Sequence, residues 1–181
     1  MSARTAAFLV TTCLLAAGAA AQPAVLAGVR GLDHHGKPFE PRQLAGKAVL
    51  MHFVFTGCGS TCPTQLRELA AVHEALPAAA RAKLNLISVS VDPRADTPAA
   101  LAAFARRMGA DRAGWRFVTG QPKALAPLYE RMQVFDPKAA QPGPDDHRTQ
   151  LYLYAADGRL LQRFRGVPVD PQRLLAELSR L

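Results

Sequence analysis

Val49-Leu-Met-His-Phe-Val-Phe-Thr-Gly-Cys-Gly-Ser-Thr-Cys-Pro63 decides the reading of this chain. Its first seven residues form an apolar run of strand length, the pattern of a strand buried on both faces of a parallel sheet. Thr56 and Gly57 break the run, and Pro63 then suits the first turn of a helix, where its missing N–H costs nothing. From Pro63 to Leu76 the residues Leu66, Leu69, Ala70, His73 and Leu76 fall on one helical face. Two cysteines, Cys58 and Cys62, therefore sit between the carboxyl end of a buried strand and the entrance of a helix. In open α/β sheets ligands and chemistry collect at that place.

Outward from this segment the alternation repeats. Leu84 to Val91 reads as a β-branched strand, Pro98 to Met108 as a helix, Trp115 to Val118 as a short strand and Pro122 to Met132 as a helix. Leu151 to Tyr154 and Leu160 to Phe164 pair as a hairpin across Asp157-Gly158, and Pro171 to Leu181 closes as a helix. Ahead of the deciding strand, residues 28 to 47 are rich in glycine and proline and can form a short capping hairpin. The order implies an α/β fold: a thioredoxin-like sandwich around a central mixed β-sheet, with an N-terminal hairpin extension. A length of 181 residues suits one such domain with some N-terminal surplus.

That surplus has the form of a targeting segment. Arg4 precedes an apolar stretch that ends in small residues, with Ala19 and Ala21 placed for cleavage before Gln22. Residues 1–27 are expected to be a signal peptide or a membrane anchor, with lipid modification of Cys13 as a third form, and 28–181 to be the domain. Each form exports the domain, which places it in a bacterial periplasm, soluble or tethered to the inner membrane. The net charge of +8 would suggest nucleic acid if the basic residues clustered. They are instead spread from Arg30 to Arg173 among Asp and Glu, which argues against nucleic acid and leaves a bias toward acidic protein surfaces or anionic membrane.

With Cys13 in the leader, Cys58 and Cys62 are the cysteines of the domain. In an oxidising compartment such a pair can be a structural staple. The i, i+4 spacing at a helix entrance also lets the sulfurs bridge reversibly or hold one ion jointly. The positive end of the helix is expected to favour thiolate there. Two soft thiolates favour Cu(I) or Zn(II), and an imidazole would complete a three-coordinate copper site. The ordinary redox motif has two intervening residues rather than three, which counts against a simple disulfide reductase.

Among the histidines, His52 belongs to the buried strand, and His73 lies some three turns beyond Cys62, roughly 16 Å away at 1.5 Å per residue. His34 and His35 occupy the lead-in turn, where exposure is expected. His147 ends a Pro/Gly-rich loop just before the strand of Leu151 and can approach the cysteines, which makes it a candidate third ligand. Asp92, after the second strand, is a candidate for the surroundings of the same site, or else a turn residue before Pro93. Met51, Met108 and Met132 read as core filling.

The run Gly46–Thr64 resembles the metal-site segment of the Sco/SenC family. Further similarity lies in Ser88-Val-Ser-Val-Asp-Pro-Arg-Ala-Asp-Thr-Pro98, in Trp115 with Thr119-Gly120, in Asp146-His147, and in the lead-in Leu32-Asp-His-His-Gly-Lys-Pro-Phe39. The matches run in order over residues 31 to 166. Gly59 departs from the proline that commonly follows the family's first cysteine. The resemblance implies a thioredoxin-like fold and copper, Cu(I) or Cu(II), held by Cys58, Cys62 and His147. It further implies a metallochaperone role in assembling the CuA centre of cytochrome c oxidase. The oxidase's CuA-bearing subunit and a periplasmic copper donor would be its partners. The alternative is a thiol:disulfide oxidoreductase that keeps the oxidase's copper cysteines reduced, with Cys58 attacking and Cys62 resolving.

Overall fold

The computed structural model describes residues 22–181 apart from 137 and 139. The expected leader, with Cys13, lies almost wholly outside the described residues. Seven strands form one sheet: β1 (Gly31–Asp33), β2 (Pro38–Phe39), β3 (Ala48–Val54), β4 (Leu84–Ser90), β5 (Trp115–Thr119), β6 (Leu151–Tyr154) and β7 (Leu160–Phe164). Their order across the sheet is β2-β1-β5-β4-β3-β6-β7. The central β5, β4 and β3 run parallel, and β1 and β6 flank them antiparallel. This is the mixed sheet of the expected α/β sandwich, and β1 with β2 supplies the N-terminal hairpin.

β3 and β4 are buried at every position, so helices must cover both faces of the sheet. The helices are α1 (Thr61–Ala75), α2 (Ala78–Ala82), α3 (Pro98–Arg107), α4 (Pro122–Met132) and α5 (Pro171–Leu178). Their starts are written in the chain: the Thr97 hydroxyl accepts from the Ala100 N–H at 3.2 Å, the Asp170 carboxylate from the Arg173 N–H at 3.0 Å, and a proline follows each cap. α1 begins two residues before Pro63, so Cys62 lies inside its first turn. Ordered structure also begins ahead of residue 28: Leu26 is buried in the core, and Arg131 donates to the carbonyls of Val25 and Ala27.

Candidate metal centre

Cys58 and Cys62 are both free thiols, Cys58 partly exposed and Cys62 1% exposed. The Phe55 carbonyl accepts the Cys58 N–H at 3.4 Å, turning the chain back at the end of β3. The Cys62 N–H, an unsatisfied donor of the first turn of α1, points at the Cys58 sulfur at 3.1 Å. The helix start thus supports one sulfur and carries the other. Its acidifying effect does not prevail at Cys62: burial first, then the hydrogen bond with the Cys58 sulfur, push that thiol up to about 12. The helix's positive end is outweighed because the side chain has left water.

Asp96 fastens this turn from below. Its carboxylate is fully buried and accepts the Thr56 N–H at 3.0 Å, the Thr56 hydroxyl at 2.6 Å and the Ser90 hydroxyl at 2.6 Å. Those bonds join the strand ends of β3 and β4 just before the first cysteine. Asp92 joins them through its backbone alone: its N–H donates to Ser90 Oγ at 3.1 Å and its carbonyl accepts the N–H groups of Ala95 and Asp96, while its half-buried side chain takes no part in these bonds. In the sequence Asp96 reads, with Thr97 and Pro98, as a helix start. The buried hydroxyls that satisfy its charge come from separate segments, and no local pattern announces them.

His147 arrives from the other side. It follows a 3-10 turn, Pro144–Asp146, and its ring stands edge-on to Phe55 with centroids 5.8 Å apart. Its Nδ1 is 2.6 Å from the Pro144 carbonyl, which can only accept, so Nδ1 carries the proton and Nε2 holds a free lone pair. That Nε2 is buried and has no hydrogen-bond partner. An imidazole fixed in this tautomer by a backbone carbonyl is prepared to ligate metal.

A second chain of hydrogen bonds, buried up to Gln65, holds the segment after His147. The Trp115 indole N–H donates to Ser88 Oγ at 2.9 Å, and the Ser88 hydroxyl donates to His52 Nε2 at 2.7 Å. His52 Nδ1–H donates to Gln65 Oε1 at 2.8 Å. The Gln65 amide then donates to the Thr149 carbonyl at 2.6 Å and the Gly166 carbonyl at 2.8 Å. Every member is satisfied in this one direction, which keeps His52 neutral; burial, the main cause, pulls its pKa down to about 4. Gly166 has no side chain because a Cβ there would fall on the Thr149 carbonyl and the Gln65 amide.

Among the described residues, the one set of three metal-ligating side chains whose donor atoms all lie within 4.8 Å of one another is His34, His35 and Asp111. The donors of Cys58, Cys62 and His147 are therefore more widely spread. The His34 set is nevertheless no ligand set. His34 Nδ1 accepts the Phe117 N–H at 3.2 Å, so its Nε2 carries the proton and donates to Asp111 at 3.3 Å. His34 is also buried, contrary to the expectation of exposure, because its ring packs edge-on to Phe117; only His35 faces solvent. The group lies at the starting end of β5, opposite the cysteines.

A family model described as SCO1/SenC matches residues 20–181. The chain belongs to the SCO1/SenC family. A Stutzerimonas stutzeri protein named for copper binding is 31% identical over 138 residues, which are 75% of this chain and 66% of that protein. The Bacillus subtilis SCO1 protein homolog is 29% identical over 142 residues, 77% of this chain and 72% of its own length. The structure of Bradyrhizobium japonicum ScoI with copper bound is 30% identical and superimposes with a TM-score of 0.70, covering 84% of this chain and 96% of that one. The SCO1/SenC chain described here thus has the thioredoxin-like fold expected for it. No helix among its described residues is long and apolar enough to cross a membrane.

Proposed function

We propose that this SCO1/SenC protein is a copper metallochaperone that holds one copper ion through Cys58, Cys62 and His147 and helps build the CuA centre of cytochrome c oxidase. The observation that carries the reading is the unpartnered, unprotonated Nε2 of His147, buried against Phe55, which lies three residues before Cys58. A buried polar atom without a partner is costly, and a metal would satisfy it. Two free thiols at a helix entrance and an imidazole form a soft donor set that suits copper. The copper-bound Bradyrhizobium relative supports the same ion. Because the three donor atoms do not all lie within 4.8 Å of one another, the side chains must draw together for all three to hold one ion. Copper is cargo here: the thiols lose protons as it enters, and exchange with donors on the oxidase's CuA-bearing subunit carries it out.

The exposure difference between the cysteines favours a second activity, thiol:disulfide exchange. The partly exposed Cys58, as thiolate, attacks one sulfur of a partner disulfide and releases the other as a thiolate. Cys62, on losing its proton, then attacks Cys58 and frees the partner's second thiol. The partner gains two electrons and two protons, and Cys58 and Cys62 are left as a disulfide that no longer binds copper. In both readings the domain of residues 28–181 is exported to the periplasm by the segment before it; in the chaperone reading a periplasmic donor supplies the copper.

His147→Ala separates the two. It should weaken copper retention and oxidase assembly while leaving disulfide exchange intact, whereas Cys58→Ser and Cys62→Ser should abolish both. Normal copper content and normal assembly with His147→Ala would remove the three-ligand mechanism.

A further inference from the structure

Beyond Leu151 and Phe164, which pair across β6 and β7, the two chains continue past the sheet and enclose a groove of about 550 Å³. His147 forms part of its wall, and the rest includes Arg148, Thr149, Arg163, Arg165 and Gly166. Arg148, Arg163 and Arg165 are exposed, none is in an ion pair among the described residues, and no carboxylate lines the groove. Arg163, on β7, rests on the Tyr152 ring at 5.8 Å, and Arg165 follows just past the end of that strand. The Gln65 bonds to Thr149 and Gly166 hold the floor rigid. β7 is an edge strand, and Leu160 and Leu161 on it are 37% and 41% exposed.

We propose that this groove docks an extended, acidic segment of a partner polypeptide, whose carboxylates pair with Arg148, Arg163 and Arg165. Concavity favours a chain over a flat membrane surface. The free edge of β7 offers backbone hydrogen bonds to a strand-like segment, and its two leucines offer apolar contact just beyond the charges. Because His147 is part of the wall, a segment seated here lies beside the third candidate ligand. The identification of the partner as a copper recipient rests on the proposed chaperone function; the docking itself does not.

The test uses fluorescence anisotropy of a labelled peptide of alternating glutamate and alanine, its glutamine counterpart, and phosphatidylglycerol vesicles. The parent is compared with the triple variant Arg148→Gln/Arg163→Gln/Arg165→Gln. A control of equal charge loss, Arg94→Gln/Arg106→Gln/Arg107→Gln, lies on exposed positions away from the groove. Binding of the acidic peptide should weaken about tenfold or more in the groove variant and little in the control, from three exposed charge pairs. It should also weaken with added salt. Equal losses in both variants, equal binding of the glutamine peptide, or vesicle binding without peptide binding would each overturn the proposal. Copper titration of the same three proteins keeps the readings apart: the groove variant should bind copper as the parent does. If the parent binds none, the chaperone reading falls while the peptide result stands.

Discussion

Gln65→Leu removes the one α1 side chain that, among the described residues, hydrogen-bonds to the segment following His147. The substitution nearly conserves volume but leaves three polar groups behind: the Thr149 carbonyl, the Gly166 carbonyl and the His52 Nδ1–H, bonded at 2.6, 2.8 and 2.8 Å. Gln65 is 1% exposed, so water cannot take its place without opening the packing. At about 1–3 kcal/mol for each unsatisfied buried group, less the gain from a buried leucine, the net loss is about 3 kcal/mol. That is a large part of the stability of an ordinary domain. Urea unfolding should show a lower midpoint with an unchanged slope, because the surface exposed on unfolding is the same. The double variant Gln65→Leu/His52→Leu should cost less than the sum of the single ones, since removing His52 also removes one orphan. Copper retention should fall with Gln65→Leu even where the protein is fully folded, because the His147 segment loses its anchor. A stability loss under about 1 kcal/mol, or strict additivity, would refute the idea that this network positions the segment.

Acid should destabilise the fold through His52. Its pKa falls from 6.5 in the unfolded chain to about 4 when folded, so between those values the unfolded chain binds more protons and stability falls as pH drops. The loss approaches about 3 kcal/mol by pH 4, and His34 and His73, both also lowered mainly by burial, act in the same direction. Unfolding midpoints from pH 7.5 to 4 should show this slope, and His52→Leu should flatten it. Asp96→Ala would leave the hydroxyls of Thr56 and Ser90 without their acceptor. It should cost about 2–4 kcal/mol in unfolding measurements and quicken alkylation of Cys58 as the turn loosens.

Much of the fold is legible because its signals are local. β3 shows as a continuous apolar run, α3 and α5 show through their caps and prolines, and the β6–β7 hairpin shows through Asp157-Gly158. α2 escapes notice because Ala78–Ala82 has too few side chains to show a period. The site is legible only in part. The cysteine pair stands out by spacing and place, and His147 by its position at a loop end. Gln65 reads as an ordinary polar helix residue and Asp96 as part of a helix start, because their partners come largely from other elements, Thr56 40 residues from Asp96 and Gly166 101 residues from Gln65. His34 looks exposed for the same reason: Phe117, which covers it, belongs to another strand.

X-ray absorption of the reduced protein loaded with one equivalent of Cu(I) tests the central claim most directly. Three-ligand binding predicts a first shell of two sulfurs and one imidazole nitrogen, with the nitrogen lost in His147→Ala and a sulfur lost in Cys58→Ser or Cys62→Ser. A shell of two sulfurs alone in the parent, unchanged by His147→Ala, would contradict it.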